Sequence, residues 1–177
     1  MATRFYSNSK AVQLFKESKQ ANSDPLKIIL LEKALEEIIS QEDTIKPFIY
    51  DHLIYYNNKL RNYDQALFYA NAFIENSSEI QDTAKLALGY YRKAMVQKYL
   101  DNQLEVLKNL YKSQNLYLTS KDSMNAGKRL VELGIAQRRL GDFIGSQNSQ
   151  VKALQLFDNF SDSTYFLSIY NNLATSY

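Results

Sequence analysis

Residues 122–143 read DSMNAGKRLVELGIAQRRLGDF, and three features of this stretch recur elsewhere in the chain at a spacing of 40 residues. They are an Asp followed by Ser or Thr, a small residue in the middle, and a leucine near the end. Their positions are Asp82-Thr83, Asp122-Ser123 and Asp162-Ser163; Ala94, Gly134 and Ala174; and Leu60, Leu100 and Leu140. Such recurrence is the signature of a repeat protein, whose units bury their apolar faces only against their neighbours. The sequence therefore predicts a stacked array with a non-catalytic binding surface, in which the small residues and leucines are packing positions.

The composition favours long helices over strands. The 177 residues are 45% hydrophobic and include only five Gly and two Pro, which leaves little material for the turns of a β-protein. The 21 basic and 19 acidic residues are spread along the chain, and the net charge of +2 requires neither nucleic acid nor an anionic membrane as a partner. The absence of cysteine excludes disulfides and thiolate metal sites. No apolar run approaches the roughly 18 residues of a membrane span.

The start of the chain bears on its compartment. Residues 1–8, MATRFYSN, lack the hydrophobic core of a signal peptide. We therefore expect a cytoplasmic protein as the chain is given, and a periplasmic one if a signal peptide has been removed, so the compartment stays open.

Apolar residues recur at helical spacing in segments that are separated by short breaks. The predicted helices cover about residues 10–20, 25–40, 44–60, 63–78, 83–99, 103–118, 123–140 and 142–158, and a last one starts at 163. An Asp, Ser or Thr at a helix start can accept hydrogen bonds from the first free backbone amides, and each such cap stabilises the helix by about 1 kcal/mol. We expect Asp43 or Thr44 to cap the third helix and Asn76-Ser77-Ser78 to end the fourth.

Taken in pairs, these helices predict a single array over residues 1–177. Its repeats would cover about residues 8–40, 44–78, 83–118 and 123–158, with an unpaired final helix at 163–177. That helix carries several apolar side chains, although a repeat array normally needs a polar cap at its end. Two explanations stay open: the chain is a fragment of a longer protein, or the final helix docks on another chain by self-association.

The stretch from Leu133 to Phe143, followed by Lys152-Ala153-Leu154, resembles the tetratricopeptide repeat (TPR) family. In that family an LG pair, a G-x-Y/F turn and a later AL pair mark two antiparallel helices. Residues 83–118 match the pattern less well, since Gln97 stands where an aromatic residue is usual. The repeats are longer than the family's common length of roughly 34 residues, and they look like those in the sensory regions of bacterial histidine kinases and transcription regulators. A related helical repeat stays an alternative.

The resemblance implies an all-α fold, a right-handed α-solenoid of antiparallel helix pairs whose concave wall consists of the first helix of each repeat. The residues that face this groove would lie at positions i, i+4 and i+7 of those helices. The predicted binding residues are Asp51, Tyr55, Asn58, Tyr91, Met95, Lys98, Lys128, Val131, Ile135, Arg138 and Asn171. Aromatic and Met side chains with cations suit a peptide or protein partner. Alternatively, Tyr91, Met95 and Ile135 are partly buried between neighbouring helices.

The preferred function is non-catalytic binding of a protein or peptide, as the sensory or scaffolding part of a larger bacterial signalling regulator. Two alternatives stay open: a structural adaptor that holds an oligomer, and a peptide-sensing regulator that acts on response regulators. Relatives that bind heat-shock chaperone tails carry a clamp of Lys, Asn and Arg, but Asp51 at the corresponding place has the wrong charge. A basic patch could suit an acidic partner, but we expect its residues to pair with Glu132 and Asp142 on a solvated surface. The patch consists of Arg92, Lys128, Arg138 and Arg139.

We predict no catalytic residue, no cofactor and no metal site, and therefore no enzyme. His52 is the single histidine, and it follows Asp51 without a second imidazole that could complete a metal site. A structural role for His52 is the expectation.

Overall fold

The computed structural model describes residues 10–38, 44–157 and 163–174. These residues form nine α-helices and no strand, so the predicted all-α fold is confirmed. The helices are α1 Lys10–Gln20, α2 Asp24–Glu36, α3 Lys46–Lys59, α4 Tyr63–Glu79, α5 Thr83–Tyr99, α6 Gln103–Thr119, α7 Ser123–Arg139, α8 Phe143–Phe157 and α9 Ser163–Ala174. The chain divides into a first unit, residues 1–82, and a second unit, residues 83–177. The predicted continuation of one array through both units stays a prediction.

In the first unit, each helix packs against the next one along the chain, from α1 to α4. Its core is made of apolar side chains with no exposed surface. They are Leu31 and Ala34 of α2, Ile49 and Leu53 of α3, and Ala66, Ala70 and Phe73 of α4. The Tyr69 hydroxyl of α4 donates a hydrogen bond to the Glu32 carboxylate of α2, with an O to O distance of 2.7 Å. This bond ties two helices that are not neighbours in sequence.

In the second unit, α5 to α8 pack in sequence, and α9 contacts both α7 and α8. One core cluster joins all five helices. It consists of Ala94, Val106, Leu110, Leu130, Val131, Leu133, Ala136, Ala153, Phe157 and Ile169. The predicted packing roles of Ala94 and Gly134 are confirmed, because both residues are buried. Ala174 is exposed, and its predicted packing role is therefore wrong.

A left-handed residue follows the end of a helix every 20 residues from position 61 to position 141. These residues are Arg61, Gln81, Asp101, Lys121 and Gly141, with φ of 63°, 54°, 54°, 59° and 80°. At Lys121 the amide donates to the Leu118 carbonyl at 3.0 Å, and the next amide, of Asp122, donates to the Tyr117 carbonyl at 2.8 Å. This pair of bonds is a Schellman motif, which satisfies the last carbonyls of a helix and turns the chain sharply.

The residue after each left-handed position is Asn or Asp, and the next helix begins directly after it. The Asp122 carboxylate accepts a hydrogen bond from the Asn125 amide at 3.0 Å, and that of Asp142 accepts one from the Gly145 amide at 2.8 Å. Since α4, α5, α6 and α7 each contain 17 residues and the links contain three, a helix begins every 20 residues. The spacing of 40 in the sequence is therefore two helices, and the extra length of each repeat lies in the helices.

Several predicted boundaries need correction. Thr44 does not cap α3, which begins after Ile45 without a side-chain capping bond. Asn76-Ser77-Ser78 does not end α4, because Asn76 and Ser77 are buried within the helix and the left-handed turn comes only at Gln81. Asp43, Asp162 and residues 8–9, 39–42, 158–161 and 175–177 lie outside the described residues, so the predictions made for them are not addressed by the structure.

The leucines that recur every 40 residues do not belong to the core. Leu60 and Leu140 occupy the C-cap positions of α3 and α7, and Leu100 follows α5 directly. They are 38%, 44% and 42% exposed, respectively. Their regular spacing reflects the helix ends and not a packing role, so this prediction is wrong.

Buried amides join the two helices of each hairpin in the second unit. The Gln97 carbonyl oxygen of α5 accepts a hydrogen bond from the Asn109 amide of α6 at 2.8 Å. Forty residues later, the Gln137 carbonyl oxygen of α7 accepts one from the Ser149 hydroxyl of α8 at 2.7 Å. Because a buried polar group without a partner costs free energy, these bonds favour one register of the two helices. None of the described helices is long and apolar enough to cross a membrane.

Lys121→Gly is expected to stabilise the protein by about 0.5 to 1 kcal/mol, because a residue with a β-carbon is strained at a φ of 59°. Urea unfolding measures the change as a higher midpoint. The matched control is Lys121→Ala, which removes the same ammonium group but keeps the strain. An alanine variant as stable as the glycine variant would show that strain at this position does not limit stability.

Tyr69→Phe is expected to remove part of the loss of stability at alkaline pH. Burial, together with the hydrogen bond to Glu32, raises the pKa of Tyr69 to about 12. Because the folded state holds this proton more tightly, the stabilisation is complete below the ordinary pKa of about 10 and is lost as the pH rises towards 12. Urea unfolding at several pH values in this range measures how steeply the free energy of unfolding falls with pH. The control is Tyr55→Phe, since the Tyr55 side chain is exposed. If this variant reduced the dependence of stability on pH equally, the effect would not be specific to Tyr69.

Candidate protein-binding face of the second unit

In the first unit, three predicted binding residues lie on α3. The ring of Tyr55 is exposed and contacts the edge of Tyr56, with ring centroids 5.2 Å apart. Asp51 and Asn58 are half-buried. The role of these residues in binding stays a prediction.

In the second unit, the structure brings the predicted residues of α5 and α7 together. Met95 and Lys98 of α5 line the same narrow cleft as Ile135 of α7. Val106 and Leu110 of α6 also line this cleft. The Lys98 ammonium lies 3.9 Å from the Glu132 carboxylate of α7, so an ion pair spans the gap between the two helices. We call the surface formed by these residues of α5 and α7 the α5/α7 face.

Val131 does not belong to this face. It is only 6% exposed and forms part of the core, so it offers almost no surface to a partner. Positions i, i+4 and i+7 from Lys128 fall on Glu132 and Ile135, and these two residues do line the cleft, together with Arg139. Tyr91, Met95 and Ile135 are half-buried against the core, as the alternative interpretation expected, although Met95 and Ile135 also line the cleft.

The remaining predicted residues lie around the cleft. The Lys128 ammonium lies 5.1 Å from the centroid of the Tyr165 ring, which connects α7 to α9. Arg138 is half-buried, and its Nε atom has no hydrogen-bond partner among the described residues. Asn171 of α9 is exposed and is not among the residues that line the cleft.

The two helices that form this face are strongly basic. α5 and α7 together carry eight basic residues and one acidic residue. The basic residues are Lys85, Arg92, Lys93, Lys98, Lys128, Arg129, Arg138 and Arg139, and the acidic one is Glu132. Residues 83–177 contain 12 basic and 7 acidic residues, a net charge of +5, whereas residues 1–82 contain 9 and 12, a net charge of −3.

Two members of the basic patch, Arg138 and Arg139, do not form the expected ion pairs with Glu132 and Asp142. Glu132 lies near Lys98, and the Asp142 carboxylate accepts hydrogen bonds from the Gly145 amide and the Gln137 side chain. Among the described residues, neither Arg138 nor Arg139 has a carboxylate within 4.0 Å. These guanidinium groups therefore stay available to an acidic partner.

Arg129 is a residue that the sequence analysis missed. Its side chain is only 8% exposed, and its Cζ atom lies 3.4 Å from the centroid of the Tyr91 ring of α5. Burial lowers the pKa of the Arg129 guanidinium, which nevertheless stays charged at neutral pH. A second cation, Arg92, lies with its Cζ atom 5.7 Å from the centroid of the same Tyr91 ring.

His52 has structural contacts. Its Nδ1 atom lies 2.8 Å from the Phe48 carbonyl, and its ring meets the Phe15 ring edge to face with centroids 5.2 Å apart. Within the described ranges, no three or more His, Asp or Glu side chains are grouped so that they could hold a metal ion.

Comparison with known proteins identifies the fold but no family. No protein-family model and no curated protein matches the sequence. Among solved structures, BtubC (BKLC) from P. vanneervenii is similar, with a TM-score of 0.76 and 16% identity over 94% of this chain and 80% of BtubC. The apo form of RapI has a TM-score of 0.81 and 17% identity over 90% of this chain and 46% of RapI. The chain thus spans less than half the length of RapI, and the likeness shows a shared fold of repeated helices.

Proposed function

We propose that this chain is a non-catalytic, TPR-like module that binds a protein or peptide, and that the partner binds on the α5/α7 face. The observation that carries the proposal is the composition of this face. The helices that form this face, α5 and α7, carry eight basic residues and one acidic residue, and Met95, Lys98, Ile135 and Arg139 line the cleft. An acidic polypeptide is the partner that fits this surface.

The side chains of the face are those that protein interfaces favour. Met and Arg are enriched at such interfaces, and Met adapts its shape to different partners. A surface of one charge sign also accelerates the encounter with a partner of the opposite sign. These properties support recognition of a polypeptide.

We further propose that the module is the sensory or scaffolding part of a larger bacterial signalling regulator, a histidine kinase or a transcription regulator. Two things support this proposal: the long repeats with Asp-Ser or Asp-Thr starts, which look like those of such proteins, and the fold that the chain shares with part of RapI. The fold alone does not choose between a sensor and a scaffold, because one repeat fold serves many partners.

Selection from a library of displayed random peptides tests the binding function. We expect the chain to enrich peptides that combine Asp or Glu with large apolar residues. The double variant Lys98→Glu/Arg138→Glu is expected to retain these peptides about tenfold less well, because it reverses two charges on the face. Circular dichroism first verifies that each variant folds.

The matched control is Lys112→Glu/Lys152→Glu, which makes the same charge change on α6 and α8. We expect it to retain the selected peptides nearly as well as the unchanged protein. Equal losses in both variants, or no enrichment in the selection, would count against the α5/α7 face as a binding surface.

A further inference from the structure

A pocket of about 230 Å³ lies between α3 and α4 in the first unit. It is formed by Lys46 and Tyr50 of α3 and by Ala72, Glu75, Asn76 and Glu79 of α4. We call it the α3/α4 pocket. None of its residues belongs to the α5/α7 face, so it is a separate candidate site.

The two carboxylates of this pocket repel each other. Glu75 and Glu79 are exposed and lie one turn apart on α4. Like charges at positions i and i+4 of a helix destabilise it. Among the described residues, no basic nitrogen lies within 4.0 Å of either carboxylate. A cation supplied by another molecule would remove this repulsion.

The ring of Tyr50 can attract the same cation. The Lys46 ammonium lies 6.0 Å from the centroid of this ring, at the outer limit of a cation–π contact. The ring also stacks on that of the buried Phe73, with centroids 6.4 Å apart, which holds it in place. Burial raises the pKa of Tyr50, and the negative charges of Glu75 and Glu79 raise it further. The two carboxylates and the ring therefore act on one space.

The remaining side chains of the pocket suit an alkylammonium group better than a metal ion. Asn76 is 3% exposed and makes other contacts, and its buried Oδ1 atom accepts no hydrogen bond. Ammonium N–H groups donate to such oxygens, while the methylene groups of an amine pack on apolar surface such as Ala72. A calcium ion takes about six to eight oxygen ligands, and two carboxylates with one amide are too few for it.

We propose that the α3/α4 pocket binds an alkylammonium group, held by Glu75 and Glu79 and by the face of the Tyr50 ring. The net charge of −3 on residues 1–82 favours a cationic ligand. The same chemistry is offered by a free polyamine and by a lysine side chain of a polypeptide. This site goes beyond the proposed function, because it takes a ligand of the opposite charge in the other unit.

Isothermal titration calorimetry with spermidine, a small polyamine, tests the site. We expect spermidine to bind the unchanged protein and to bind Glu75→Gln/Glu79→Gln about tenfold less well, because the charges that hold the ammonium group are lost. Both positions are exposed, and circular dichroism verifies that the variant folds. The matched control, Glu17→Gln/Glu36→Gln, removes two exposed charges of the same unit and should change binding less than about twofold.

Lys46→Met provides a test of opposite sign. Because the Lys46 ammonium competes for the same ring and carboxylates, its removal should strengthen spermidine binding about threefold. The control, Lys16→Met, removes an exposed charge of α1 and should leave binding nearly unchanged. Weaker binding by Lys46→Met would contradict a pocket that holds cations.

A peptide of alternating Lys and Ala residues, with both ends blocked, identifies the source of the ammonium group. If only spermidine binds, the site takes a free polyamine; if the peptide binds more tightly, it takes a lysine side chain. Either result supports the site when Glu75→Gln/Glu79→Gln binds less well than its control. The proposal is overturned if neither ligand binds, if the two double variants lose binding equally, or if calcium chloride displaces spermidine at equal concentration.

Discussion

Phe157→Ala is expected to lower the free energy of unfolding of the second unit by about 3 to 5 kcal/mol, the cost of removing a fully buried aromatic side chain. Phe157 is 1% exposed and lies where three helices meet. Its ring stacks on that of Tyr165 of α9, with centroids 5.1 Å apart, and meets the edge of Phe166. On its other side it packs on Gly127 of α7, where an added β-carbon would lie 2.8 Å from the ring. The cavity would therefore loosen α7, α8 and α9 together.

Urea unfolding, followed by circular dichroism, measures this loss. The matched control is Phe143→Ala at the start of the same helix, since Phe143 is 51% exposed. We expect the control to cost less than about 1 kcal/mol. Similar losses in the two variants would show that Phe157 does not hold the three helices together.

Gly134→Leu is the second change with a large expected effect, a loss of about 3 kcal/mol by overpacking. A β-carbon at this position would clash with the Gln150 amide of α8 and would lie 3.1 Å from the Ser146 carbonyl. Gln150 cannot move aside into solvent, because it is fully buried and donates a hydrogen bond to the Val131 carbonyl at 3.2 Å. The atoms nearest to the added carbon belong to Gln150 and Ser146 of α8, so these two residues set the close approach of the helices.

The control for Gly134→Leu is Gln155→Leu, which adds the same side chain at an exposed position of α8. We expect it to change the free energy of unfolding by less than about 0.5 kcal/mol. If Gly134→Leu matched the unchanged protein in a urea titration, the close approach of α7 and α8 at this glycine would be refuted.

Local signals explain why the helix boundaries could be predicted well from the sequence. The predicted starts at 83, 103 and 123 agree with the structure, because Asn102 and Asp122 cap the helices that follow them. The period of 20 residues was missed because the residues that end the helices differ in type. Lys121 and Gly141 adopt the same left-handed conformation, and only Gly signals it in a sequence. The Asn and Asp residues at 62, 82, 102, 122 and 142 carried the signal that could have revealed the period.

The candidate site was harder to predict from the sequence than the helices, because it depends on contacts between helices. A helical spacing rule locates a face to within about one residue, which is why Val131 was chosen where Glu132 lines the cleft. Arg129 escaped notice because its burial depends on Tyr91, which is 38 positions earlier in the chain. No local sequence pattern predicts that a basic residue will lie against an aromatic ring of another helix.

Site-specific photo-crosslinking tests most directly whether a polypeptide binds on the α5/α7 face. A benzophenone amino acid would replace Ile135, which lines the cleft, and in a second variant Ile144, which is 75% exposed at the start of α8. Each variant would be irradiated with the peptides that the selection enriches. We expect crosslinks from position 135 and none above background from position 144. Crosslinks from 144 that equal or exceed those from 135 would contradict binding on the α5/α7 face.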